Sequence, residues 1–140
     1  MTEEPKPWER FITTDQLLDL YQEAMKRGGR VSAPQPGCLE ACIGNAWTAE
    51  TYQLDEEDEP FGMLFAAYLM IYLVRNHCFE DGNKRIGWSS LVGVLDQHRL
   101  LVDAPEDEVV QLVHDVVEKK TEVAGVLMWL ADHLMEATLH

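Results

Sequence analysis

Apolar residues recur at helical spacing along most of this chain. "TTDQLLDLYQEAMKRGG" sets Leu17, Leu18, Leu20, Tyr21, Ala24 and Met25 on one face. Thr13 or Thr14 suits the N-cap and Gly28-Gly29 the stop. "RVSAPQPG" reads as a loop. A second helix is predicted from near Cys38, using Leu39, Cys42, Ile43 and Ala46. From Trp47 to Asp58 the spacing lapses, and Thr and Tyr residues predict a loop or small hairpin. Pro60, behind an acidic run, suits the first turn of a central helix that is apolar nearly all round and reaches about Asn76. Another helix begins near Asn83 and runs through "RIGWSSLVGVLDQH". "DAPEDEVVQLVHDVVEKK" is amphipathic through Val109, Val110, Leu112, Val113, Val116 and Val117. Thr121 would cap a last helix carrying Val123, Val126, Leu127, Leu130 and Leu134. The valine-rich stretches could be strands, but acidic starts and lysine ends favour helices. The predicted fold is all-α: a single compact domain of about six helices over residues 11–140, with residues 1–10 as a flexible lead-in and a short flap before the central helix.

Composition narrows this picture. A chain of 140 residues that is 46% hydrophobic suits one folded domain with one core. The longest apolar run, Phe61 to Val74, is shorter than the roughly 18 residues of a spanning helix. The polar, acidic N-terminus resembles neither a secretory signal nor a transit peptide. A net charge of −14 disfavours nucleic acid and acidic membranes as partners. It is compatible with a basic protein partner, though high solubility accounts for it as well. Cys38, Cys42 and Cys78 lack zinc-type pairing and read as buried free thiols, which fits a reducing cytoplasm.

The chemistry concentrates in "HCFEDGNKR", His77 to Arg85, between the central helix and the next. A helix beginning at Asn83 offers unpaired N–H groups and a positive dipole end. Gly82 permits a tight turn and close approach of a phosphate. Lys84 supplies a point charge and Arg85 a bidentate fork. Asp81 is a hard oxygen ligand suited to Mg²⁺. Histidine ordinarily titrates near neutrality, so His77 could take a proton from an attacking hydroxyl. Phe79 reads as the buried anchor of the loop. Together these form a phosphoryl- or nucleotidyl-transfer kit, provided the imidazole and the helix start share a pocket for nucleotide oxyanions. Taken singly, the same residues are a solvated turn: Asp-Gly is a turn signal, His77 a helix-end residue, and Lys84 and Arg85 surface charges.

The nine residues resemble the signature of the Fic/Doc superfamily, H-x-F-x-[D/E]-G-N-G-R-x-x-R in Fic members. Lys84, in place of the second glycine, is similar to the death-on-curing (Doc) branch, H-x-F-x-D-A/G-N-K-R. Arg75 also matches a Doc-like arginine. The resemblance extends over residues 11–135, with the loop as its diagnostic part. It implies that His77 is the general base and that Asp81 binds Mg²⁺ or orients the target hydroxyl. It implies too that Asn83 and the Gly82–Lys84 backbone cradle a phosphate neutralised by Lys84 and Arg85, while Arg75 holds the loop or nucleotide. Trp47 to Leu54 then takes the place of the target-positioning flap, where Tyr52 could contribute.

The final arginine of the Fic signature is absent, with Trp88 in its place, and Ile86, Gly87 and Ser89 also depart from the Doc pattern. Lys84 fills space where a Fic-type diphosphate would sit, and Doc-like proteins present the γ-phosphate of ATP instead. The resemblance thus implies a toxin kinase acting on Ser or Thr of a protein; for Doc itself the target is elongation factor Tu. Protein AMP transfer, or a catalytically silent nucleotide- or protein-binding module, are the alternatives. No Ser or Thr is followed four residues later by Glu, so the inhibitory motif of Fic proteins is missing and a separate antitoxin is implied. Trp8 and Trp129 read as packing residues. His98, His114 and His133 have no mutual metal spacing.

Overall fold

The computed structural model describes residues 6–52, 54–55 and 57–136. Its six α-helices are α1 (Thr14–Met25), α2 (Cys38–Thr51), α3 (Met63–Arg75), α4 (Asn83–Gln97), α5 (Glu106–Val117) and α6 (Val123–His133). Two short strands, β1 (Leu100–Val102) and β2 (Leu134–Glu136), pair antiparallel with Leu101 opposite Met135. The fold is all-α apart from this ribbon. Of the N-terminal lead-in, residues 1–5 lie outside the described residues, and Pro7–Glu9 form a 3₁₀ turn.

Helix α1 starts at a reciprocal capping box. The Gln16 N–H donates to Thr13 Oγ1 at 3.1 Å, and the Thr13 N–H to Gln16 Oε1 at 2.9 Å. Leu17, Tyr21 and Met25, one turn apart, are buried. Helix α3 forms the centre: from Phe65 to Val74 only Tyr68 and Tyr72 are not fully buried. Helices α2, α4, α5 and α6 all pack against it. Gly87 lets α3 and α4 touch, because a Cβ there would lie 2.5 Å from Val74 Cγ2 and 3.2 Å from the Met70 carbonyl.

Four boundaries correct the sequence reading. Helix α2 continues through Trp47 to Thr51, where a loop or hairpin was expected, so the flap segment shrinks to the residues after Thr51. Packing of Trp47 on Phe11 overrides β-propensity. The Thr48 and Thr51 hydroxyls donate back to Gly44 O and Trp47 O at 3.0 and 2.9 Å, which satisfies them within the helix. The central helix starts at Met63, beyond Pro60, and the acidic run does not cap it. Glu50 does, since its Oε1 accepts from Gly62 N and Phe65 N at 2.7 and 3.3 Å. Helix α6 starts after Glu122 and not after Thr121, because Arg75 holds the Thr121 carbonyl and the Glu122 carboxylate together. Leu134, expected in that helix, opens β2 instead. Replacing Glu50 by Ala removes the cap of α3 and is expected to cost about 1 kcal/mol, read as a lowered midpoint in urea unfolding.

Cysteine usage is the fifth correction. Cys38 and Cys78 form a disulfide with Cα atoms 5.5 Å apart, and Cys42 alone is a buried free thiol. Their side chains meet only because α2 packs beside the end of α3, a contact that spacing along the chain does not reveal. The cysteines therefore no longer argue for a reducing compartment. Among the described residues no helix is long and apolar enough to cross a membrane.

Candidate functional site

Between α3 and α4 the chain makes a tight loop whose shape is set by its own side chains. Asn83 reaches back across it: Oδ1 accepts from Phe79 N at 3.0 Å and Nδ2 donates to Phe79 O at 2.8 Å. Phe79 is buried and stacks on Tyr21, with ring centroids 3.7 Å apart. The Tyr21 hydroxyl donates to the Asp81 carbonyl at 3.0 Å and accepts from Ser32 N at 3.2 Å. Gly82 turns the chain into α4 at φ 89°, and a Cβ there would collide with Met25 Sδ at 2.5 Å. His77 itself has φ 52°, an uncommon conformation for a residue with a side chain.

The loop after α1 braces this turn from behind. Arg30 N–H donates to Asp81 Oδ2 at 2.9 Å, Glu80 N–H to Ser32 Oγ at 3.1 Å, and Gln35 N–H to Cys78 O at 2.8 Å. The sequence reading placed Tyr21 only on the apolar face of α1 and passed over Ser32 and Gln35, since these contacts bridge distant stretches and no local periodicity signals them.

At the helix start, Ile86 N–H makes the first intrahelical bond, to Gly82 O, and no side chain caps the turn. Among the described residues, the N–H groups of Asn83, Lys84 and Arg85 thus have no hydrogen-bond partner, which leaves an anion-seeking end. Lys84 is exposed and forms no ion pair among the described residues. The Arg85 guanidinium donates to the Gly28 carbonyl and lies 3.7 Å from Met25 Sδ, tying α4 to the end of α1.

A cavity of about 850 Å³ opens on this side of α4. Arg27, Lys84 and Arg85 form its cationic part, and Trp88, Val92 and Val109 belong to its apolar wall. Three of the chain's 11 lysines and arginines thus gather here with one carboxylate, Glu106, an excess of cations in a chain whose net charge is −14. Trp88, in the position of the missing second arginine, meets Trp129 edge to face at 6.0 Å.

The expected site residues are only partly brought together. Lys84 and Arg85 line the cavity, whereas His77, Asp81, Gly82 and Asn83 do not. The His77 side chain is exposed, so the imidazole and the cavity do not share one enclosed space. Arg75 departs most from expectation. Its guanidinium donates to Val116 O, Thr121 O and both Glu122 oxygens at 2.9 to 3.1 Å. These bonds fasten α3 to the α5–α6 turn; among the described residues the Arg75 side chain makes no hydrogen bond to the loop and does not line the cavity. Tyr52 is 80% exposed just past the end of α2, and its neighbour Gln53, in the expected flap, lies outside the described residues.

The Asp81 carboxyl is held below the usual carboxylate range, first by the Arg30 N–H, then by the Gly82 N–H and the nearby Arg85 charge, against partial desolvation. A lowered folded pKa gives stability that is fully present above the unfolded value, near 4, and lost as pH falls through the folded one. Asp81→Asn keeps a neutral acceptor. The gap in unfolding midpoint between wild type and this variant is therefore expected to be constant above about pH 5 and to close on further acidification.

No curated protein matches the chain. The sequence does match the Fic/DOC family over residues 11–95, from just before α1 through nearly all of α4, which takes in the loop, its braces and the cationic helix start. The chain belongs to the Fic/DOC family, whose members are typically nucleotide transferases.

Proposed function

We propose that this chain is a Doc-like phosphotransferase that moves the γ-phosphate of ATP to a Ser or Thr hydroxyl of a protein, in the manner of a toxin acting on a translation factor. The observation that carries this reading is Lys84, exposed in an uncapped first turn and lining a cavity whose wall holds Trp88 in place of a second arginine. A lysine there supplies charge to one terminal phosphate but takes up room that a backbone-bound diphosphate would need. The apolar wall suits a nucleoside, and the cations at the helix end suit its phosphates.

In this mechanism the target hydroxyl attacks the γ-phosphorus in line. Its proton passes to the His77 imidazole, and the bond to the β–γ bridging oxygen breaks with its electron pair leaving on ADP. His77 is exposed and lies outside the cavity, so transfer requires the γ-phosphate to extend from the cations past the start of α4 to the imidazole, where a protein hydroxyl arrives from solvent. The three free N–H groups at the start of α4, with Lys84 and Arg85, stabilise charge on the transferring group. Mg²⁺ suits the donor set at Asp81. The carboxylate is ionised and each oxygen accepts a single N–H, so lone pairs remain for a cation that typically takes one or two carboxylates plus phosphate oxygens. When bound, the ion would neutralise phosphate charge beside Lys84.

The test is transfer of label to proteins of a host lysate from ATP labelled at either end. Label from the γ-position, found by mass spectrometry as added phosphate on Ser or Thr, is the expected result. Label from the α-position would replace the proposal by protein AMP transfer, and label from neither by a silent binding module, whose occupant could be a separate antitoxin.

A further inference from the structure

Three sulfurs converge beneath the loop that carries His77. Cys38 is the first residue of α2, Cys42 lies one turn further on, and Cys78 directly follows His77. Their Sγ atoms all lie within 4.8 Å of one another. Cys38 and Cys78 are bonded, and Cys42 Sγ stands 3.9 Å from Cys78 Sγ. With two sulfurs joined to each other, the trio lacks the thiolates that a soft metal would require. We propose that these three cysteines form a thiol–disulfide exchange site that clasps and unclasps the loop bearing His77.

The clasp acts where the loop is least regular. His77, at φ 52°, sits between Asn76, whose Nδ2 donates to Cys42 Sγ at 3.5 Å, and Cys78, whose carbonyl accepts from Gln35 N–H. The Asn76 N–H still closes α3 on the Tyr72 carbonyl at 2.8 Å, but the Asn76 side chain and the Cys78 carbonyl and sulfur all reach α2 or the turn just before it. The disulfide bridges a sequence separation of 40 residues, so opening it frees a long segment and leaves the His77 conformation to weaker bonds.

The internal step balances without an outside oxidant. Once the loop shifts to bring Cys42 Sγ in line with the Cys38–Cys78 bond, the Cys42 thiolate attacks Cys78 Sγ, a Cys42–Cys78 bond forms, and the Cys38–Cys78 bond breaks with its electron pair leaving on Cys38. The proton lost by Cys42 is returned to Cys38 through solvent. Cys38 is the favoured leaving group, because the N-terminal end of α2 stabilises its thiolate. Burial pushes the Cys42 thiol up, with the Asn76 amide partly opposing, so exchange speeds up as pH rises. An external dithiol opens the clasp completely, giving three protein thiols and becoming a disulfide itself.

The test uses the full chain without nucleotide or target, so its outcome is independent of the phosphotransfer reading. Non-reducing peptide mapping after acid quenching should find Cys38 bonded to Cys78, with a Cys42–Cys78 isomer that grows as pH is raised and is absent in Cys42→Ser. Dithiothreitol should speed amide exchange across residues 76–83 roughly tenfold while leaving α5 and α6 unchanged. The double variant Cys38→Ser, Cys42→Ser should show the fast rate under any redox condition. Three free thiols in air-oxidised protein, no isomer at high pH, or a loop indifferent to dithiothreitol would each overturn the proposal.

Discussion

His77→Asn is expected to lower the proposed phosphate transfer by about a thousandfold while leaving the protein as stable as before. The size follows from losing a general base, whose contribution is typically 10² to 10⁴. The choice of Asn follows from the backbone. At φ 52° an alanine would add conformational strain of its own, whereas Asn visits the left-handed region readily and brings no base. Because the side chain is exposed and makes no hydrogen bond among the described residues, the change in stability should stay within about 0.5 kcal/mol. Single-turnover transfer of γ-label, read beside thermal unfolding, separates the two quantities. Transfer near the wild-type rate would show that the imidazole is not the base.

Phe79→Ala is expected to have the largest effect on stability. The ring is 3% exposed and stacked on Tyr21, itself wholly buried. Truncating a buried Phe costs about 3–5 kcal/mol, part of it the stacking geometry. For a chain of this length that corresponds to a fall in Tm of roughly 10 °C or more. The lost ring also removes the floor under the Tyr21 hydroxyl, which holds the Asp81 carbonyl and Ser32 N. Amide exchange over residues 79–82 should therefore rise more than at any other site, even where the domain stays folded. A Tm within 2 °C of wild type would mean the loop is held by its polar bonds alone.

Together these two variants divide the loop by physical role. His77 stands in solvent and supplies the base in the proposed transfer; Phe79, two residues on, lies in the core and contributes position. Asn83 and Gly82 join the two tasks. The Asn83 side chain closes the loop on the Phe79 backbone, and its own N–H, with those of Lys84 and Arg85, has no partner among the described residues and is open to an anion. The acidic composition of the chain makes the cationic cavity beside them more telling, since Arg27, Lys84 and Arg85 gather against a net charge of −14.

Helices α1 and α5 were legible from local pattern, because each repeats its apolar face every turn and carries a start signal, a capping Thr or an acidic first turn; α4 was placed by the polar loop before it, although no side chain caps its start. The six-helix, all-α architecture followed from the same periodicity, and so did the loop between α3 and α4, whose polar residues stand at fixed spacing beside the most apolar helix. Tertiary structure alone decided the rest. Trp47 to Thr51 became helical because Trp47 found Phe11. Glu50 became the cap of α3, and Arg75 was drawn to Glu122 and away from the loop. The two short strands exist because distant segments meet, and Cys38 reached Cys78 across 40 positions for the same reason. Periodicity and capping are properties of neighbours in sequence, which a single chain displays on inspection. Partners set by helix packing depend on the whole core closing, and no local window contains that information.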